Sequence, residues 1–335
     1  MMPSLTALAA GQLVMLQIGL VGAGAGAAAA LLFASVTSGT WMSVPLFYLA
    51  PLPIMIAGLG WSHWSALVAA VAASAALGVA FGGVFFLAFL AGAGLPAWWL
   101  GYLAMLARPS ENGAAPALEW YPPGRLVVWA AVLAALVVIV AIPNFGLDAE
   151  SFRAGLTKSL SRLLRPETGG VPDATLPGAG TEDRIVGFLV AAVPPAAAVI
   201  ATITSIFNLW LAARIVKFSG RLTRPWPALA EMTFPKMFSA ALALAIALSF
   251  LDSLVGIVAG VLSAAMLMAY GVLGFAVLHS ITRDIRGRPF VLGGIYGSVL
   301  IFGWPVLALC VLGIAETAFD LRARAARKRG PPAPF

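Results

Sequence analysis

The chain has 335 residues, of which 61% are hydrophobic and 10% charged, and its net charge is +7. That leaves too little polar surface to cover a soluble domain of this size, so an integral membrane protein is expected. No Asp, Glu, Lys or Arg precedes Arg108, and His63 is the one histidine in that first third, which excludes a water-facing fold there.

Several apolar stretches reach the ~20 residues a helix needs to cross a bilayer, and the alternating pattern of a membrane β-barrel is absent. The expected fold class is all-α, a polytopic transmembrane helical bundle of about eight or nine membrane segments. The opening "MMPS" has no cationic region, so the first apolar stretch reads as a retained span rather than a cleaved signal peptide. The cations gather in short loops and at the C-terminus, as the positive-inside rule expects, so the charge reads as topological and implies no nucleic-acid partner. Cys310 stands alone, and with only His63 and His279 beside it neither a disulfide, a metal site nor a cofactor is expected.

The first spans are expected at residues 13–34, 43–60, 64–81, 84–106, 126–142 and 185–216. The second carries Pro45, Pro51 and Pro53, so it must lie against protein or a cavity, because freed backbone groups cannot face lipid. In the first, Gly22, Gly26 and Ala30 recur at i+4 and make a smooth ridge for the close approach of another helix. His63, in "GWSHWS", reads as an interfacial anchor among tryptophans.

Residues 145–184 form the longest polar stretch. Asp148 is a candidate N-cap for "AESFRAGLTKSLSRLL", where Phe152, Leu156, Leu160 and Leu163 share one face and Arg153, Lys158 and Arg162 lie largely off it. This reads as a helix on the membrane surface or as a helix that docks a partner. The following "PETGGVPDATLPGAGTED" has the Gly and Pro content of a flexible loop.

The sixth span holds "ITSIFNLWLAARIVK". Thr204, Asn208 and Ala212 share one stripe, and Trp210, Arg214 and Lys217 share another on roughly the opposite side. The second stripe suits the interface, with an indole and snorkelling cations as anchors, so the first is expected to face the bundle. There the Asn208 amide either hydrogen-bonds a neighbouring helix or lines a substrate cavity, and geometry favours the interhelical bond. Arg184 and Arg214 enclose 29 uncharged residues, more than one crossing needs, so a bend at Pro194-Pro195 is expected.

The next apolar stretch, 237–281, is too long for one crossing and is split near Asp252. Asp252 either caps a helix in the turn or serves as an intramembrane ion site, and the cap is favoured. Tyr270 and His279 are further candidate polar groups for binding or for interhelical bonds. The last run, 290–319, is interrupted at Gly303-Trp304-Pro305, and Glu316, Asp320 and Arg324 read as an i, i+4 charge ladder.

The loop after Asn208 carries Arg214, Lys217, Arg221, Arg224 and Lys236 against Glu231 and is expected to be cytoplasmic. Counting back places the N-terminus inside and 145–184 outside. One more crossing would then place the basic tail, 321–335, outside, so either the last run is re-entrant or a hairpin folding back at 303–305 or a span is miscounted upstream; the fold-back is favoured, and the tail is expected to be cytoplasmic and disordered. The domain expectation is a single membrane domain over 1–320.

From Asn208 onward, "NLWLAARIVKFSGRLTRPWP" and "AYGVLGFAVLHSITRDIRGRPFVLGGIYGSVLIFGWPVLALCVLGIAETAFDLRARAARKRG" resemble the YybS-like family of bacterial membrane proteins, in particular its alphaproteobacterial branch. That family is distantly similar to the substrate-binding S components of energy-coupling-factor transporters. The resemblance implies that Asn208, Trp210, Arg214, Pro225, Gly274, His279, Gly313 and Arg322 matter, and that Gly22, Gly26 and Ala30 contact a membrane coupling or ATPase module. Where the family has an aspartate after the last helix's glycine, this chain has Glu316. Two functions follow as expectations: a transport component for a vitamin or metabolite in the bacterial inner membrane, or a non-transporting scaffold for a membrane partner. No enzyme constellation is visible.

Overall fold

In the computed structural model, residues 5–109, 118–164, 179–228, 232–283 and 285–328 are described. The chain is all-α, 82% helical. Among the described residues, seven segments are long and apolar enough to cross a membrane: Gly11–Ser38, Ser43–Gly60, His63–Phe81, Gly83–Ala104, Pro123–Asn144, Arg184–Phe218 and Leu254–Ile281. Three shorter apolar helices accompany them, Lys236–Leu248, Arg288–Phe302 and Val306–Phe319. The chain is an integral membrane helical protein.

Contacts divide it into two compact units where a single domain is expected from the sequence. One comprises Met1–Ala130 with Ile203–Ala228, the other Ala131–Thr202 with Leu229–Phe335. The division arises because two long helices, α7 (Pro123–Ala141) and α9 (Ala179–Phe218), give their ends to different units.

In the first unit, α1 (Leu5–Ala34) packs along α4 (His63–Phe81) through small residues on both sides. A methyl group built at Gly22 would lie 2.6 Å from Val68 Cγ1, and one at Gly26 would lie 2.7 Å from the Ala69 carbonyl. Without a hydrophobic drive inside lipid, helices are held by such close van der Waals contact, which a side chain would prevent. The ridge of Gly22, Gly26 and Ala30 is therefore covered by α4 of the same chain. This corrects the expected contact with a helix of another protein.

The second span is two short helices, α2 (Ser43–Tyr48) and α3 (Leu52–Gly60), joined by a break that ends in Pro51. The fourth is α5 (Gly83–Phe89) and α6 (Leu95–Ala104), with a wider π turn at Leu90–Gly94 between them. A hairpin of β1 (Ala107–Pro109) and β2 (Leu118–Trp120) follows, with Arg108 opposite Glu119. Three-residue strands are too short to leave a periodic signature, and the sequence does not reveal them.

In the second unit, α8 (Ala149–Leu164) is amphipathic, as expected, but its apolar face is covered. Phe152 and Leu156 are 3% and 6% exposed and cluster with Ile142 and Val190, against Leu254, Ile257 and Val258. The Phe152, Leu156 and Leu160 side of the helix thus packs on its own chain. Helix α9 begins at Ala179, inside the stretch expected to be loop; residues 165–178 lie outside the described residues.

Helix α10 (Lys236–Leu248) lies against α11 (Leu254–Ile281). The apolar run after them breaks at Gly303, in the left-handed region at φ 71°, into α12 (Arg288–Phe302) and α13 (Val306–Phe319). Helices α11 and α13 cross closely: a methyl group on Gly274 would strike the Leu309 carbonyl, and one on Gly313 the Tyr270 carbonyl. The basic tail, expected to be disordered, begins as helix α14 (Leu321–Lys328), and 329–335 lie outside the described residues.

Candidate functional site

The sequence-derived polar residues are first accounted for by structure. Asn208 is fully buried in the first unit, and its Nδ2 donates to the Tyr48 carbonyl at 2.8 Å and to the Thr204 carbonyl at 2.9 Å. Tyr48 ends α2. Pro51 has no N–H to offer three residues on, and the Leu52 N–H is taken by the Leu49 carbonyl. The asparagine supplies the donor that the break in the second span removed, so its amide acts between helices. Its Oδ1 is buried without a partner among the described residues.

The basic connection after α9 caps helix ends in the same unit. Arg221 Nε donates to the Gly60 carbonyl at the end of α3, and its guanidinium lies 4.2 Å from the Trp61 ring centre. Arg224 donates to the Ala104 carbonyl at the end of α6 at 2.6 Å and to the Tyr121 carbonyl at 2.7 Å. Cations on C-terminal carbonyls satisfy orphan acceptors and oppose the helix dipole. Burial lowers the Arg224 pKa from its ordinary value. Arg214 and Lys217 lie over the Trp226 ring, at 5.5 and 5.0 Å, while Trp210 remains exposed. Trp226 itself escapes sequence reading, because nothing local pairs it with two cations one helical turn apart. The ends of α3, α6 and α9 are thereby gathered together, as a count of alternating crossings requires.

In the second unit, Tyr270 is fully buried and its hydroxyl lies 2.7 Å from that of Ser239, joining α10 to α11. His279 Nδ1 lies 2.9 Å from the Phe275 carbonyl, an acceptor only, so Nδ1 carries the proton and Nε2 faces the Tyr296 hydroxyl at 3.4 Å. Neither residue opens onto a cavity described here.

Glu316 is not in a surface ladder. Asp320, at φ 49°, ends α13 in a left-handed turn that brings Arg322 back, so that its Nε meets Glu316 Oε1 at 2.7 Å. Both side chains are nearly buried, and Arg322 Nη2 also donates to the Met232 carbonyl at 2.8 Å. In a continuous helix Asp320 would have followed Glu316 at i+4; the turn replaces that like-charged neighbour with a cation.

Asp252 corrects two expectations together. It stands in the turn between α10 and α11 rather than within a helix, and the cap of α11 is Ser253, whose Oγ accepts from the Gly256 N–H. Instead, Asp252 Oδ1 accepts from Arg153 Nη2 of α8 at 2.6 Å.

That ion pair adjoins a cavity of about 430 Å³ within the second unit, in the size range of small-molecule sites. Phe152, Arg153 and Thr157 of α8 form one wall. Gly187, Val190, Ala191, Pro194 and Pro195 of α9 form another. Ser249 and Leu251 of the turn after α10 and Gly256, Ile257 and Gly260 of α11 complete it. Asp148 fixes the start of α8: its carboxylate accepts from the Ser151 N–H and hydroxyl and the Glu150 N–H, and these bonds, the Ser151 N–H foremost, hold its pKa below 3.8. Of the residues singled out from the sequence as binding groups, only Asp252 belongs to this surrounding.

No protein-family model, curated protein or solved structure matches the chain.

Proposed function

We propose that this protein is a transport component of the bacterial inner membrane that takes a small molecule, a vitamin or metabolite, into the cavity between α8, α9 and α11. The observation that carries the reading is the cavity itself: it has apolar walls, an ion pair at its side and two prolines in its lining helix. Backbone groups freed by proline inside a membrane helix are tolerated only where something other than lipid faces them, and transporters place such helices beside their substrate sites. The resemblance of the C-terminal half to YybS-like proteins, and through them to vitamin-binding S components, points the same way as an analogy of fold. By the positive-inside rule, the loop from Lys217 to Lys236 and the basic tail face the cytoplasm and residues 145–184 the opposite side.

The test is the thermal stability of the detergent-solubilised protein against a panel of vitamins and metabolites, since a ligand that binds only the native state raises the unfolding midpoint. A saturable rise that Gly260→Leu abolishes supports the reading; a methyl group at Gly260 meets nothing within 4 Å, so the larger side chain is expected to enter open space. No shift with any compound, together with a stoichiometric co-purifying membrane protein, would replace transport with scaffolding.

A further inference from the structure

The two prolines stand inside α9, which runs through them as one helix. Each lacks the N–H that would bond four residues back, so the carbonyls of Val190 and Ala191 lose their regular helical donors. For Ala191 the position three residues on is also proline, which removes the tighter alternative as well. Val190, Ala191, Pro194 and Pro195 all line the same cavity, so the gap between bared acceptors and donorless rings lies in its wall. Nearby, a methyl group at Gly187 or at Gly260 would meet nothing within 4 Å.

We infer that the cavity binds a primary ammonium group carried on an apolar body, with the Val190 and Ala191 carbonyls as its acceptors. An ammonium offers three donors and a hydroxyl one, so the ammonium matches two adjacent acceptors and keeps a third donor for the Ser249 or Thr157 hydroxyl in the same lining. The apolar body is matched by Phe152, Leu251 and Ile257. Arg153 does not oppose this, because Asp252 neutralises it at 2.6 Å. The inference rests on the cavity being a ligand site, as proposed above. The same ammonium could come from a free amine or from the headgroup of an aminophospholipid.

The experiment compares three probes on the solubilised protein: n-butylamine, butyltrimethylammonium, which has the charge without donors, and butanoate. Butylamine is expected to raise the unfolding midpoint by about 2–4 °C near saturation, and the other two to leave it unchanged. The Pro194→Ala/Pro195→Ala variant restores both helical N–H groups and is expected to fold and to lose the shift. If that variant does not fold, Gly260→Leu takes its place and must lose the shift too. In nanodiscs, a shift that appears with phosphatidylethanolamine and not with phosphatidylcholine assigns the headgroup as the source; a shift with free amine in both lipids assigns the free amine.

An equal response to butyltrimethylammonium, or a shift that survives the proline variant, overturns the hydrogen-bonding assignment. A shift with butanoate alone that Gly260→Leu abolishes overturns the ammonium and leaves the ligand cavity standing. A response to no member of either panel overturns both.

Discussion

Replacing Asn208 by leucine tests whether the amide repairs the broken second span. Leucine keeps the branched skeleton of asparagine with bulkier ends, so no cavity is created at this fully buried position, and the crowding it adds is common to both backgrounds of the cycle below. The bond to the Thr204 carbonyl is dispensable, since that acceptor also lies four residues before the Asn208 N–H in α9. The cost falls on the Tyr48 carbonyl, which loses its donor at 2.8 Å. Stranding a buried acceptor costs about 1–3 kcal/mol, and interhelical bonds in membrane proteins average ~0.6 kcal/mol with a maximum near ~1.7. Leucine also removes the unpartnered Oδ1, which offsets part of that loss. The expected net destabilisation is about 1 kcal/mol, read by reversible unfolding in mixed micelles of mild detergent and SDS. Pro51→Ala restores a backbone N–H three residues beyond Tyr48. In that background the cost of Asn208→Leu is expected to be smaller by about 0.5 kcal/mol or more, a coupling that a double-mutant cycle resolves. A stability equal to wild type, or a cost that Pro51→Ala leaves unchanged, would refute the role assigned to the amide.

Three further outcomes follow from the packing and the charges. Gly313→Ala drives a methyl group into the Tyr270 carbonyl and is expected to cost about 1–3 kcal/mol, measured by the same unfolding assay, with Gly293→Ala on the open face of α12 as a control that shows no such clash. Glu316→Ala leaves Arg322 buried beside the Met232 carbonyl and is expected to cost about 3 kcal/mol, whereas Glu316→Ala with Arg322→Met is expected to recover much of that. An additive double variant would show the pair to be uncoupled. Asp148 has its pKa lowered on folding, so its contribution is present above the unfolded value near 3.8 and is lost as pH falls through the folded one. Protection of the first amides of α8 against hydrogen exchange, taken relative to the intrinsic rate at each pH, is therefore expected to fall below about pH 4, and Asp148→Asn is expected to flatten that dependence.

The positions of the helices were legible because they depend on local properties. Runs of apolar residues, the prolines at 45, 51 and 53, and the Gly303-Trp304-Pro305 interruption each act through the chain's own length and backbone, and the observed helices begin and end within a few residues of where these signals stand. The inward stripe at Asn208 was legible for the same reason: at 100° per residue a lone amide opposite an anchoring indole and two cations has one face left to it. Its partner was not, since nothing local links Asn208 to a carbonyl 160 residues earlier.

Pairings across elements were decided by the tertiary structure alone. Arg153 meets Asp252 across 99 residues, Arg224 reaches the end of α6 and the Tyr121 carbonyl more than 100 residues away, and Arg322 meets Glu316 because one left-handed residue redirects the chain. Small-residue ridges and an amphipathic face mark surfaces that must be covered without saying by what. Here α4 covers the ridge of α1, and Val190, Leu254 and Ile257 help cover α8. The cavity belongs to this second class: the sequence placed Pro194 and Pro195 inside a long helix, and only the packing of α8 and α11 beside them decided that they line a cavity.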